Sequence, residues 1–284
     1  MSIKNKEIRV VGRYTFINAI EICLISKVIP CFTMYIKLFV VTTSIYIFNS
    51  SLAINFSKIL VTTGYSRWKE LNNTEIVDLS RNCSVPLPDY PKRLTGTTGK
   101  FLDDAAIICG GRNNGPYDFY YTSECFALTK NFKEFESIAP MKEERAHAKS
   151  IITQGQIWVT GGHGNKIHSS TDYIPKKFSS NEPILPEPVE RHAIISINDT
   201  TSMLIGGYTT YNFYSRKTYY FNHHSQIWND GPSLMNGRCY HTAGLIMDHV
   251  THTQHIAVVG GYNNEVLDSV ELLLNGETQW KKGI

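Results

Sequence analysis

Helical periodicity is missing from this chain. No apolar stripe recurs at three- and four-residue spacing along its 284 residues, so neither a coiled coil nor a helical domain is expected. Two catalytic signatures are missing as well: there is no G-x-S-x-G elbow and no H-E-x-x-H pair. The nearest approach to a phosphate loop is Gly96-Thr97-Thr98-Gly99-Lys100. It separates its glycines by two residues instead of four and continues with Phe101 where a hydroxyl would hold magnesium, so it reads as a strand and turn. Gly162-His163-Gly164 is likewise a loop and no dinucleotide fingerprint. Excess charge is scarce. The net charge is +3, but residues 1–53 hold six Lys/Arg against two Asp/Glu, leaving 22 against 23 in the rest. A nucleic-acid surface is therefore not expected.

The N-terminal segment carries that basic excess and an apolar run. Residues 34–53 read as a secretory signal, with Lys37, an apolar core from Leu38 to Phe48, and Ser51 and Ala53 placed for a cut after Ala53. Residues 1–33 are then a spurious extension of the reading frame or a long n-region. Two other readings stay open: an uncleaved anchor on the mostly apolar stretch 28–48, and a segment of a folded domain. Export agrees with N-x-[ST] triplets at Asn55, Asn72, Asn82 and Asn198. Cys83, Cys109, Cys125 and Cys239 follow the leader and allow three pairings.

What the chain does have is a repeat. Apolar runs end in glycine pairs at Gly110-Gly111, Gly161-Gly162, Gly206-Gly207 and Gly260-Gly261, with Thr63-Gly64 as a fifth, at intervals of 47, 51, 45 and 54 residues. An Arg, usually with a His nearby, opens each unit: Arg93, Arg145/His147, Arg191/His192 and Arg238/His241. After the glycines come a third strand, as in SECFAL or KTYYF, and a fourth marked by Phe135, Trp228 or Trp280. Four short strands per unit predict four-stranded antiparallel sheets. Glycine accepts positive φ and close backbone approach, so the pairs are expected where the chain leaves its strand sharply, with the aromatics packed over them and Arg–Asp/Glu pairs tying unit to unit. In this register Cys109 and Cys125 fall on neighbouring strands, which favours their disulfide over the alternative of buried thiols.

Strand–Gly-Gly, a later aromatic, Trp, then P…R…H with a period near 50 residues resembles the Kelch repeat over about 58–284. The resemblance implies an all-β fold, a Kelch-type β-propeller of four-stranded blades. Five blades are recognisable, and blade one begins at its second strand near Ile59. The expectation is therefore a truncated six-bladed ring over 54–284 whose missing strand follows residue 284.

Three functions compete. The resemblance allows an exported, monomeric, non-catalytic scaffold for a protein or glycan, an intracellular adaptor for a ubiquitin ligase, and a relative of the copper-radical oxidases. The 53-residue leader is too short for the helical recruitment domain of such adaptors, and no second domain is present to donate a copper ligand. Neither a cofactor nor a metal is called for. His249, His252 and His255 read as a solvated connection. The expected binding surface is aromatic: Tyr117, Phe119, Tyr120, Tyr211, Phe213 and Tyr214 on connections between second and third strands, with Arg112 and Arg216 at the rim.

Overall fold

The computed structural model describes residues 40–47, 58–66, 69–78, 83–115, 118–129, 132–174, 182–211, 213–248 and 252–283. They form a β-propeller of five antiparallel blades with no helix among the described residues. Blade two pairs Thr98–Leu102, Ala105–Cys109, Cys125–Thr129 and Phe135–Ile138 in that spatial order. Blade four repeats the plan with Ala193–Asn198, Thr201–Ile205, Thr218–Asn222 and Ile227–Asp230. Blade five does so with Thr242–Asp248, Thr253–Val259, Val270–Leu273 and Lys281–Lys282. Blade three shows three strands, Lys149–Thr153, Gln156–Thr160 and Thr171–Ile174, with residues 175–181 outside the described set.

Blade one corrects the sequence reading. Its first strand is Val40–Ile47, antiparallel to Lys58–Ser66, which is followed by Lys69–Asp78 and Cys83–Leu87. The gap that suggested a strand beyond residue 284 is filled from the apolar run assigned to the leader. First strands stand beside one another from blade to blade, Val40–Ile47 next to Thr98–Leu102 and onward to Thr242–Asp248, and so line the axis.

Hydrophobic burial is divided among the junctions. Leu60, Leu94 and Ile108 pack between blades one and two, and Cys109, Ile157 and Val159 between two and three. Trp158, Ile194 and Phe221 pack between three and four, and Ile205, Leu234 and Val258 between four and five. Each blade alternates sides, which period-two strands do automatically.

The glycine pairs act at these same junctions. The N–H of the second glycine donates to the next blade: Gly64 to Leu94 O, Gly111 to Arg145 O, Gly162 to Val189 O and Gly207 to Arg238 O, all at 2.8 Å. A Cβ on Gly161 would stand 2.2 Å from Val189 O, and one on Gly207 2.5 Å from Val189 Cγ2, with φ at +59° and +109°. The expectation of aromatics over the glycines is replaced by backbone of the neighbouring blade. Trp228 instead packs on Trp158 and Phe221, and the Trp280 indole N–H donates to Pro232 O. Blade one manages without a glycine at its first position because Thr63 adopts φ +55° and its hydroxyl meets that of Thr97 at 2.8 Å.

A disulfide joins Cys109 and Cys125, directly opposed on adjacent strands. The next bond of the ladder, Gly110 N–H to Glu124 O, makes theirs a non-hydrogen-bonded pair, the site where opposed Cα atoms lie closest.

Candidate binding face at the Gly-Gly end

The strand that ends in Gly-Gly and the segment entering each first strand meet at one end of the propeller. Cross-blade hydrogen bonds fix their register. Leu94, Arg145, Val189 and Arg238 are equivalent, since each carbonyl receives a glycine N–H from the preceding blade. Two residues on, the chain takes a left-handed step at Gly96, His147, Arg191 and Tyr240, with φ between +54° and +71°. These four form a collar: His147 N–H donates to Gly96 O, Arg191 N–H to His147 O, and Tyr240 N–H to Arg191 O, at 2.8–3.0 Å. Three of the four carry a Cβ in a region that costs roughly 1–3 kcal/mol per residue, a concentration of strain typical of functional sites.

This register corrects two equivalences. Arg191 is a collar residue and Arg93 lies one position ahead of the Arg145 site, so neither matches Arg145 or Arg238. His192 and His241 match each other, but His147 is one place earlier. His192 Nε2 lies 2.9 Å from Thr160 Oγ1, and His241 Nε2 lies 3.0 Å from Ile205 O, each reaching into the preceding blade. Burial pushes the pKa of both down to about 3.

Collar side chains converge on the mouth of the axis. Arg191 lies over the Tyr240 ring at 4.8 Å and the Tyr208 ring at 5.7 Å, while His147 meets Tyr240 edge-on at 5.9 Å. Just outside the collar comes the residue after each glycine pair: Arg112, His163, Tyr208 and Tyr262, paired with Thr95, Ala146, Glu190 and Cys239. Glu190 is buried and its Oε1 lies 3.0 Å from the Arg191 guanidinium. Burial raises the Glu190 carboxyl, and the Arg191 and Arg112 charges oppose that rise. Burial, followed by those same two guanidinium charges, holds His147 well below its ordinary value and lowers His163 as well. Both imidazoles are thus neutral near pH 7.

Around this basic centre stand two aromatic arcs. In the first, Arg112–Gly115 and Asp118–Tyr121 form a hairpin that carries Phe119, which is 61% exposed and edge-on to Tyr121. The Tyr121 hydroxyl meets His163 Nδ1 at 2.9 Å. In the second, Tyr208 contacts Phe213 and Tyr214, and Tyr214 contacts Tyr262 of blade five. Tyr211 and Phe213 are 83% and 62% exposed.

The expected patch is rearranged accordingly. Phe119, Tyr211, Phe213 and Tyr214 lie at this end, and Tyr117 is outside the described residues. Tyr120 is half-buried against the junction of blades one and two, with the Lys92 ammonium over its ring. Arg112 sits toward the centre instead of the rim, and the Arg216 Nε–H donates to Leu234 O between blades four and five. Arg191, Glu190, His147 and Tyr240 also stand at this end and were not among the expected binding residues. The only sequence signal for them was their fixed offset from the glycine pairs.

Elsewhere, Asn72 lies within the strand Lys69–Asp78 and its amide donates to Tyr90 O, whereas Asn198 is exposed and its Oδ1 accepts from Thr200. Asn55 and Asn82 are outside the described residues. A cleft of about 560 Å³ opens at the opposite end, beside the Asp103-Asp104 turn. Among the described residues no three His, Cys, Asp or Glu side chains gather to hold a metal. No family model matches the chain, and no curated protein matches it.

Proposed function

We propose that this chain is an exported, non-catalytic Kelch-type propeller that recognises an extracellular protein through its Gly-Gly end. The observation that carries the reading is the exposure of Tyr211, Phe213 and Phe119 on one end of a rigid scaffold. Large exposed aromatics around a semi-buried polar centre are the usual makeup of a binding hot spot. The Cys109–Cys125 disulfide suits an oxidising compartment. Among the described residues no helix is long and apolar enough to cross a membrane.

Export has a structural cost, because cleavage after Ala53 removes the strand Val40–Ile47 from blade one. N-terminal sequencing of secreted material separates the two uses of this segment: a start at Ile54 supports the signal, and a chain retaining residues 40–47 supports the strand. On the exported chain Asn198 is the better glycan acceptor and Asn72 the poorer, since the Asn72 side chain is engaged and half-buried. Recognition is tested by replacing Tyr211 and Phe213 together with Ser, checking the fold by circular dichroism, and measuring partner capture from extracellular fluid. Capture that survives this change but is lost on altering Asp103 and Asp104 at the opposite end would overturn the reading.

A further inference from the structure

At the centre of the collar four buried polar atoms have no partner among the described residues: Arg112 Nε, Arg191 Nε, His147 Nε2 and Glu190 Oε2. Such atoms each cost roughly 1–3 kcal/mol when left unsatisfied; six others are spread over the rest of the described residues, and these four gather at one place. His147 and Glu190 are only 8% and 3% exposed, while the two arginines are half-buried above them. No hydrogen bond or ion pair to a described residue engages the Arg112 side chain.

The local charge is positive. Arg112, Arg191 and Lys149 act together on His147, and Glu190 returns one negative charge, paired directly with Arg191 and felt also by Arg112. Arg112 and Arg191 are the partly exposed members of this group, so an incoming side chain meets them first. The arginine donors ask for a carboxylate, which a single guanidinium binds through two parallel N–H bonds.

We infer that Arg112 and Arg191 together receive an aspartate or glutamate side chain from a loop of the partner protein, beside the buried His147 and Glu190. This rests on the binding reading given above and names the chemistry of the partner. Glu190 is then an antagonist: it competes with the incoming carboxylate for Arg191 and sets an upper limit on affinity.

The opposite signs expected at Arg112 and Glu190 make the test specific. Isothermal titration uses a blocked hexapeptide rich in Asp and Glu, its Asn/Gln counterpart and a hyaluronan hexasaccharide as uronate control. The acidic peptide should bind, with the other two weaker by at least tenfold. Arg112→Ala should weaken it about tenfold with an unchanged circular dichroism spectrum, and Arg112→Lys should recover part of the loss. Glu190→Gln should tighten it several-fold. Equal binding of the Asn/Gln peptide, insensitivity to Arg112→Ala, or binding of the hexasaccharide alone would each overturn the inference. Partner capture that depends on Tyr211 and Phe213 while the acidic peptide stays silent overturns the role of Arg112 and Arg191 but leaves the aromatic face standing.

Discussion

Blades three and five differ from blades two and four at one equivalent site, and each pair solves the same problem with opposite chemistry. In blade three Arg145, 1% exposed, donates to Gly161 O and Ser170 O and pairs with Asp172 at 3.0 Å. In blade five Arg238, fully buried, donates to Gly260 O and Ser269 O and pairs with Glu271 at 2.5 Å. The acid's other role is to receive backbone N–H groups of the proline turn, from Lys142 in one blade and from Met235 and Asn236 in the other. Blades two and four carry Leu94 and Val189 at that position, and the third strand answers with Phe126 and Tyr219 in place of the acid. Arginine occurs with an acid, and an aliphatic residue with an aromatic. The backbone around the glycine pair is the same in both, so the site demands a filled and satisfied volume and accepts either an ion pair or an apolar contact. The ion pairs also act within a blade, contrary to the expectation that they tie blade to blade. The ties are the glycine N–H groups, which reach the carbonyl of the same arginine.

The largest effect should come from breaking the polar version. Glu271→Ala strands a fully buried guanidinium and two backbone N–H groups, and urea denaturation should show a loss of about 3–5 kcal/mol. Asp172→Ala should cost less, because Glu143 lies 3.4 Å from the same guanidinium. A step both chemistries share comes next. Gly207→Val, at φ +109° and against Val189 and His192, should cost roughly 2–4 kcal/mol in thermal melts, although its blade is of the apolar kind. A variant melting with the wild type would disprove the crowding at Gly207.

Acid should loosen both kinds of blade alike, since His192 enters blade four and His241 blade five. Their folded pKa values of about 3 lie below the unfolded 6.5. The unfolded chain therefore binds more protons between these limits, and the stabilisation present above pH 6.5 is lost as the pH falls. Each histidine should contribute a slope of about 1.4 kcal/mol per pH unit in that window. Replacing both with Gln should flatten the pH dependence of the urea midpoint; an unaltered slope would assign the acid sensitivity to carboxylates. The smallest effect should come from exchanging the two chemistries. Arg145→Leu with Asp172→Phe copies blade two into blade three, and should stay within about 1–2 kcal/mol of wild type, the loss being the Lys142 hydrogen bond. A loss as large as that of Asp172→Ala alone would show that the sites are not interchangeable.

The glycine pairs, their spacing and the absence of helical period were enough to place the second strand of every blade, to expect four-stranded antiparallel units, and to put Cys109 opposite Cys125; the propeller itself was expected from the resemblance to the Kelch repeat. Alternation and turn chemistry are local, so they survive in a single sequence. Blade one's first strand was not legible, because an apolar run of that length serves a signal, an anchor or a strand equally well. The grouping of Arg93 and Arg191 with Arg145 and Arg238 failed for a related reason: residues one or two positions apart look alike in sequence. Only the cross-blade bond from a glycine N–H shows which carbonyl is equivalent.

The exposed aromatics Phe119, Tyr211 and Phe213 were likewise visible as composition, whereas the polar group between them was not. Arg112, His147, Glu190 and Arg191 come from three different blades and meet only when the left-handed collar turns their side chains toward the axis. Sequence by itself determined the repeat, because each strand, turn and glycine pair answers to neighbours a few residues away. The tertiary structure decided which polar groups share one buried space, because that depends on how blades some 50 residues apart in the chain are stacked around a common axis.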